Sequence, residues 1–286
     1  MRPDDLKTKI FLDSGNPMET REALALLGFL DGQTTNPSLV AKNPQVKRKI
    51  ERGEKFGLEE LKDFYKEIVR EISSLIPAGS VSVEVYADRN TSAEEMLRQG
   101  TEMFSWIPNA HIKYPITSAG LDAAERSLAE GMRVNMTLCF TQQQAAAVYG
   151  ATQAGKKGDV YISPFIGRLY DRKENGLDLV KNILRMYQDG DNHVEVLCAS
   201  VRNLEHFFGA LKIGSDIITS PLAVLKDWRT NGKKMPEEKF MSYARGTKIP
   251  YEELHLHHDW RKFNIIHELT DTGLEKFAAD WNSLLR

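Results

Sequence analysis

The chain has 286 residues, 41% of them hydrophobic, and a formal net charge of −2 at pH 7: enough length for a large core, and too little charge bias for nucleic acid or an anionic membrane to be the main partner. Its two cysteines, Cys139 and Cys198, each lie in an apolar or β-branched run, which suits a reducing compartment better than a disulfide framework. The start, Met1-Arg2-Pro3-Asp4-Asp5, lacks an apolar signal core and no run of about 18 apolar residues occurs, so a soluble, cytoplasmic protein is expected.

In chain order, Lys9–Asp13 reads as a short strand and Pro17–Leu30 as an amphipathic helix. A turn and strand over Asp31–Asn36 lead to Asn36-Pro37, which opens a helix with proline at its first position. A charged helical period runs from Leu58 to Leu75 and stops at Pro77-Ala78-Gly79. Val81–Val85 is the third strand, and Thr91-Ser92-Ala93-Glu94 predicts a capping box for a helix reaching about Trp106. His111–Pro115 is the fourth strand, with Ser118 capping a helix that ends near Glu130-Gly131.

Alternation continues through strand Arg133–Phe140, the alanine-rich helix Thr141–Gln153, strand Val160–Ile166 and helix Gly176–Gln188. Strand His193–Val201, helix Asn203–Leu211, strand Asp216–Thr219 and a helix begun by Pro221 follow. Eight strands, nearly all with a following helix, predict an α/β fold: one closed parallel (β/α)8 TIM barrel, residues 1–286 as a single domain, with an open doubly wound sheet as the runner-up. Residues 226–286 form a C-terminal helical extension, including the solvated loop Arg229–Lys234 and a final helix over Leu274–Leu285 docked on the barrel.

Strands buried on both faces should be almost wholly apolar, yet Asp13, Asn36, Glu84, Lys113, Asn135, Thr137, Ser163, Ser200 and Arg202 lie in these strands or at their C-terminal ends. Barrel active sites are built there. Asn135 and Thr137 are two apart, as are Ser200 and Arg202, which keeps each pair on one face. Taken singly, Asn36 reads as a turn residue, Asn135 as a hydrogen-bonded core amide and Ser200 as a cap. Lys113 sits in the apolar segment His111-Ile112-Lys113-Tyr114-Pro115. Burial without an anion disfavours the ammonium form and would leave a nucleophilic amine able to form a Schiff base; the alternative is a lysine that snorkels or pairs with a carboxylate.

Asp31-Gly32-Gln33-Thr34-Thr35-Asn36-Pro37-Ser38-Leu39 resembles the N-terminal signature of the transaldolase family, and Ile112-Lys113-Tyr114-Pro115-Ile116-Thr117 its Schiff-base lysine motif. The stretches Gly131–Thr141, Tyr161–Arg168 and Ala199–Asn203 are similar to three further family motifs in the expected order, so the likeness is close from about residue 9 to 225 and looser in the tail. It implies a (β/α) barrel that moves a three-carbon dihydroxyacetone unit, in the non-oxidative pentose phosphate pathway. The donor is a ketose phosphate, sedoheptulose 7-phosphate or fructose 6-phosphate, and the acceptor an aldose phosphate, glyceraldehyde 3-phosphate or erythrose 4-phosphate. By the same resemblance Lys113 forms the Schiff base, Glu84 shuttles protons through a water that Thr137 helps to fix, and Asp13 takes the C4 hydroxyl proton. Asn36, Asn135 and Ser163 hold the three-carbon unit, while Arg168, Ser200 and Arg202 bind phosphate. No cofactor or metal is implied, and a homodimer is expected.

Departures from the family pattern fall at Ala119, where an acidic or amide residue is usual, and at Tyr114, where smaller residues are common. The subfamily that only cleaves fructose 6-phosphate usually has Gln in place of Glu84 and Tyr in place of Phe165, so both positions point to transaldolase. An aldolase releasing free dihydroxyacetone and a non-catalytic sugar-phosphate-binding barrel are the alternatives. His255-Leu256-His257-His258-Asp259 reads as a solvated loop rather than a zinc site, Gly155-Lys156-Lys157-Gly158 as a helix-ending turn rather than a phosphate loop, and Trp228, Trp260 and Trp281 as docking contacts.

Overall fold

The computed structural model describes residues 2–235 and 246–286; Met1 and the part of the extension from 236 to 245 lie outside the described residues. Eight parallel strands close in sequential order: β1 (Lys9–Asp13), β2 (Gly32–Thr34), β3 (Ser80–Glu84), β4 (Ala110–Pro115), β5 (Val134–Cys139), β6 (Val160–Pro164), β7 (Val194–Cys198) and β8 (Ile217–Ser220). Pairing of β8 with β1 excludes the open doubly wound sheet. Around them run α1 (Pro17–Leu27), α2 (Pro37–Ala41), α3 (Pro44–Glu51), α4 (Leu58–Leu75), α5 (Ala93–Phe104), α6 (Ser118–Ala129), α7 (Gln142–Ala151), α8 (Ile166–Asp171), α9 (Gly176–Tyr187), α10 (Leu204–Lys212), α11 (Leu222–Thr230) and α12 (Glu268–Asn282). The fold is a (β/α)8 TIM barrel. Among the described residues no helix is long and apolar enough to cross a membrane.

Most turns from strand to helix end on a short polar residue whose side chain accepts from the first helical turn, as Asn16, Asn36, Ser92, Thr117, Thr141 and Asn203 do. Two predicted caps are thereby displaced. Ser92 rather than Thr91 caps α5, because the Thr91 hydroxyl is bound to Asp88 Oδ1 at 2.8 Å, and Thr117 rather than Ser118 caps α6. α1 ends at Leu27, short of the predicted Leu30, because Gly28 turns left-handed at φ 78° and returns its N–H to Leu24 O.

The fifth, sixth and seventh strands are shorter than predicted for one reason: the chain leaves the sheet to shape the barrel mouth. Leu138 adopts φ 63° where the β5–β6 register shifts, Ile166 opens the unpredicted helix α8, and Ser200 turns left-handed at φ 59°. The Arg229–Lys234 segment is not simply solvated. Arg229 and Thr230 complete α11, while Arg229 Nε and Lys233 Nζ donate to the Leu26 and Leu27 carbonyls, cations placed at the C-terminus of α1.

At the N-terminal end of the strands the barrel is closed by a polar floor. Lys9 pairs with the buried Glu195 at 2.8 Å, and His111 stacks on Tyr161 with ring centroids 4.1 Å apart. His111 Nε2 lies 2.9 Å from the Gly158 carbonyl, so it carries the proton and Nδ1 accepts from Ser80 Oγ at 2.8 Å. Burial holds this imidazole neutral, its pKa lowered to about 3. Above the floor, Phe11 meets the Tyr161 ring edge-on, packed so closely over Gly32 that a β-carbon there would lie 2.5 Å from the Phe11 ring.

Candidate active site

The registers Glu84↔Lys113 and Lys113↔Asn135 bring polar side chains of three neighbouring strands side by side, from the last residue of β3 through β4 to the second residue of β5. Lys113 Nζ is 2.8 Å from Glu84 Oε2, with both side chains almost fully buried. The premise that Lys113 is buried without an anion is therefore corrected: Glu84, one strand away, supplies the charge. The two atoms are close but not aligned as a hydrogen bond, so Glu84 Oε2 keeps an acceptor direction unfilled by the described residues. Desolvation raises the Glu84 carboxyl above the usual carboxylate range, opposed by Lys113.

Asp13, at the end of β1, stands across the same lysine. Burial raises its pKa too, with Lys113 and a 2.7 Å hydrogen bond from the Thr34 hydroxyl working against the rise. Because Thr34 Oγ1 donates to Asp13, the Thr219 hydroxyl 2.6 Å away must be the donor to Thr34, and this chain fixes the carboxylate from β8 through β2 to β1. Glu84 is held from behind. Its backbone N–H donates to Tyr65 Oη, which donates to Thr35 Oγ1, itself bonded to Ser82 O.

A cavity of about 280 Å³ opens over Lys113. Of the predicted site residues it gathers Asp13, Asn36, Lys113, Ser163, Arg168, Ser200 and Arg202 on its lining. Glu84, Asn135 and Thr137 are fully or almost fully buried and are not on that lining. Asn135 bridges the barrel, its Nδ2 donating to Ser82 Oγ at 3.0 Å and its Oδ1 accepting from Ser163 Oγ at 2.7 Å. Thr137 Oγ1 is buried with no partner among the described residues. Asn36 Oδ1 is committed to capping α2 through Leu39 N, so its amide nitrogen is the group it offers a ligand.

The arginines differ in availability. Arg202 is nearly half exposed and its guanidinium grips both oxygens of Asp171. Arg168 is drawn inward, donating to the Leu269 carbonyl at a long 3.4 Å, and burial together with Arg202 lowers its pKa. Gly167 makes their approach feasible, because a β-carbon there would lie 2.4 Å from Ser200 O and 2.6 Å from Arg202 Nε.

Several lining groups were not singled out in the sequence. Thr34 and Thr219 lie at strand ends and obey the period-two rule that found their neighbours, so alternation could have found them. Lys276, Phe277 and Asp280 come from α12, which starts at Glu268 rather than the predicted Leu274 and lies at the barrel mouth. Asp280 accepts from the Ser38 hydroxyl, and Trp281 packs against Tyr65 at 6.0 Å. Trp228, Trp260 and Trp281 are all buried packing contacts, and the two free cysteines are buried, burial raising the Cys139 thiol to about 12. His255 and His258 lie with ring centroids 5.5 Å apart, and no group of three or more His, Cys, Asp or Glu able to hold a metal gathers among the described residues.

Comparison with known proteins adds to this geometry. Residues 10–286 match the model of a family described as transaldolase/fructose-6-phosphate aldolase. A protein of Dehalococcoides mccartyi named "Probable transaldolase" is 33% identical over 276 residues, 96% of this chain and 99% of its own. "Probable transaldolase" proteins of Anaeromyxobacter dehalogenans and Cereibacter sphaeroides are 34% and 36% identical, each over 96% of this chain and over 97% and 95% of their own.

Proposed function

The chain belongs to the transaldolase/fructose-6-phosphate aldolase family, and from that premise we propose that it is a cytoplasmic transaldolase of the non-oxidative pentose phosphate pathway. It moves a dihydroxyacetone unit from fructose 6-phosphate or sedoheptulose 7-phosphate to an aldose phosphate. The observation that carries this reading is the buried Lys113 flanked by two carboxyls of raised pKa, at the base of a cavity whose other side presents Arg168 and Arg202.

Lys113 attacks the ketose C2 carbonyl carbon. Protons must reach the carbonyl oxygen and leave the amine as the carbinolamine loses water, and Glu84 beside Lys113 Nζ is placed to relay them. The unfilled direction on Glu84 Oε2 and the unpartnered Thr137 Oγ1 are two buried polar atoms suited to holding the water that takes part. Asp13 removes the proton of the C4 hydroxyl while the C3–C4 bond breaks, the electron pair moving into the iminium to give an enamine. Its raised pKa suits a base that must also return the proton when the acceptor adds.

Ser163 and Asn36 hold the three-carbon unit, with Asn135 orienting Ser163 from behind. Arg168, Ser200 and Arg202 bind the phosphate at the opposite wall.

Borohydride with fructose 6-phosphate tests the proposal. One sugar-derived adduct is expected on Lys113, found by peptide mass mapping, together with loss of activity. Supplying erythrose 4-phosphate instead of borohydride should yield sedoheptulose 7-phosphate. Labelling at another lysine, or full activity in Lys113→Ala, rejects the mechanism; an adduct at Lys113 with no transfer to the aldose supports the aldolase alternative.

A further inference from the structure

α12 brings a second aromatic ring to the lysine. Lys113 Nζ lies 5.9 Å from the ring centroid of Phe165 and 5.9 Å from that of Phe277, and the Arg168 guanidinium carbon lies 5.7 and 5.9 Å from the same two rings. Phe277 is only 7% exposed although it lines the cavity. Its helix is held at three points. The Thr270 hydroxyl donates to Leu138 O at 2.9 Å, Asp280 accepts from Ser38, and Gly273 lies so close that a β-carbon there would come within 2.6 Å of both Arg168 Nη1 and Leu138 Cδ2. The ring is therefore a fixed part of the wall beside the reacting nitrogen.

On the Schiff-base reading, the enamine on Lys113 has two fates. In transfer, its nucleophilic carbon forms a carbon–carbon bond to the aldose carbonyl carbon, whose oxygen takes the proton held by Asp13. In release, that carbon takes a proton from water instead; the hydroxide left adds to the iminium carbon to give a carbinolamine, whose hydroxyl proton passes to the nitrogen as the C–N bond breaks, and dihydroxyacetone leaves with Lys113 restored as an amine. Both fates end in hydrolysis of an iminium, but only release needs water to protonate the enamine carbon. Two phenyl rings within 6 Å of the nitrogen offer no proton and no hydrogen bond to hold a water.

We propose that Phe277 is the positioning residue that keeps water other than the one held by Glu84 and Thr137 away from the enamine carbon, committing the three-carbon unit to an aldose acceptor rather than to water; the proposal rests on the Lys113 reading above.

The test uses the full chain with Phe277→Leu, Phe277→Val and Phe277→Ala. Each variant is fed fructose 6-phosphate with erythrose 4-phosphate, and the ratio of free dihydroxyacetone to sedoheptulose 7-phosphate is measured. Borohydride trapping on Lys113 is run alongside. The ratio should stay near the parent value in Leu, rise in Val and reach about tenfold in Ala, with the Lys113 adduct still formed in each. If the alanine variant does not fold, Val against Leu decides. A ratio that stays flat while turnover falls, with the adduct intact, overturns the role of Phe277 alone. Absence of the adduct in the parent protein overturns the Lys113 reading and this inference with it.

Discussion

Removing the two guanidinium groups one at a time distinguishes their roles through the phosphate. Arg202 already spends its fork on Asp171 at the rim, where both side chains are about half exposed, so a phosphate must compete for it. A contact of that kind is worth at most about 1 kcal/mol, or about fivefold. Arg168 is half-buried, faces the cavity and makes one long bond to Leu269 O, leaving most of its donors for the ligand. A charge-assisted hydrogen bond in such a place contributes about 1.5–3 kcal/mol, which at 1.4 kcal/mol per decade is roughly 10- to 150-fold. Arg168→Ala should therefore lower kcat/KM for fructose 6-phosphate by that factor and Arg202→Ala by about fivefold, while free dihydroxyacetone as donor loses at most about twofold in either. Steady-state kinetics with the two donors checks this. Equal losses on phosphorylated and unphosphorylated donors, or a larger loss from Arg202 than from Arg168, would refute the reasoning.

The acid–base roles separate in time: Asp13→Ala should accumulate trapped imine without carbon–carbon cleavage, and Glu84→Ala should slow imine formation by about 100-fold or more, both read by rapid quench; the opposite pattern reverses the assignment. His111 provides a pH prediction. Its folded pKa of about 3 lies below the ordinary value, so the unfolded chain binds the proton first. The stabilisation is complete above about pH 6.5 and fades as pH falls towards 3, so the unfolding free energy from urea titrations should drop between pH 7 and 4.5 by about 1–3 kcal/mol more in the parent than in His111→Gln. Equal slopes would show that the imidazole titrates freely. Gly167→Ala, which drives a β-carbon against Ser200 O, should cost about 1–3 kcal/mol of stability and raise KM for phosphorylated sugars more than kcat falls; an unchanged KM would disconnect this turn from the phosphate.

What was legible in the sequence was whatever depends on local pattern. Most strands showed as short apolar runs between helical stretches, and the polar interruptions Asp13, Lys113, Ser163 and Ser200 marked the cavity because period two and strand ends place them there. Pairing across strands was less accessible. That Glu84 stands opposite Lys113 depends on the β3–β4 register, which the alternation of either strand alone leaves open, so pairing with a carboxylate was only one alternative for the lysine and the family resemblance alone pointed to Glu84. The same applies to Asp171, at the end of α8, which occupies Arg202 of the loop after β7, and to α12, whose Phe277 reaches a lysine more than a hundred residues earlier in the chain through tertiary packing alone. Local propensity also misplaced Thr91 and Ser118, because any hydroxyl ahead of a helix is a plausible cap until its neighbours compete for it.

The polar floor shapes the traffic through the site. With Lys9 locked to Glu195 and His111 wedged between Ser80 and Gly158, paired polar side chains fill the lower end of the barrel, so on the proposed reaction the sugars would come and go over the strand C-termini. On the proposed reaction the shortened aldose would have to vacate the space that its successor fills, so ping-pong order is expected: parallel double-reciprocal lines, and competition between the two aldoses for the same modified form of the protein.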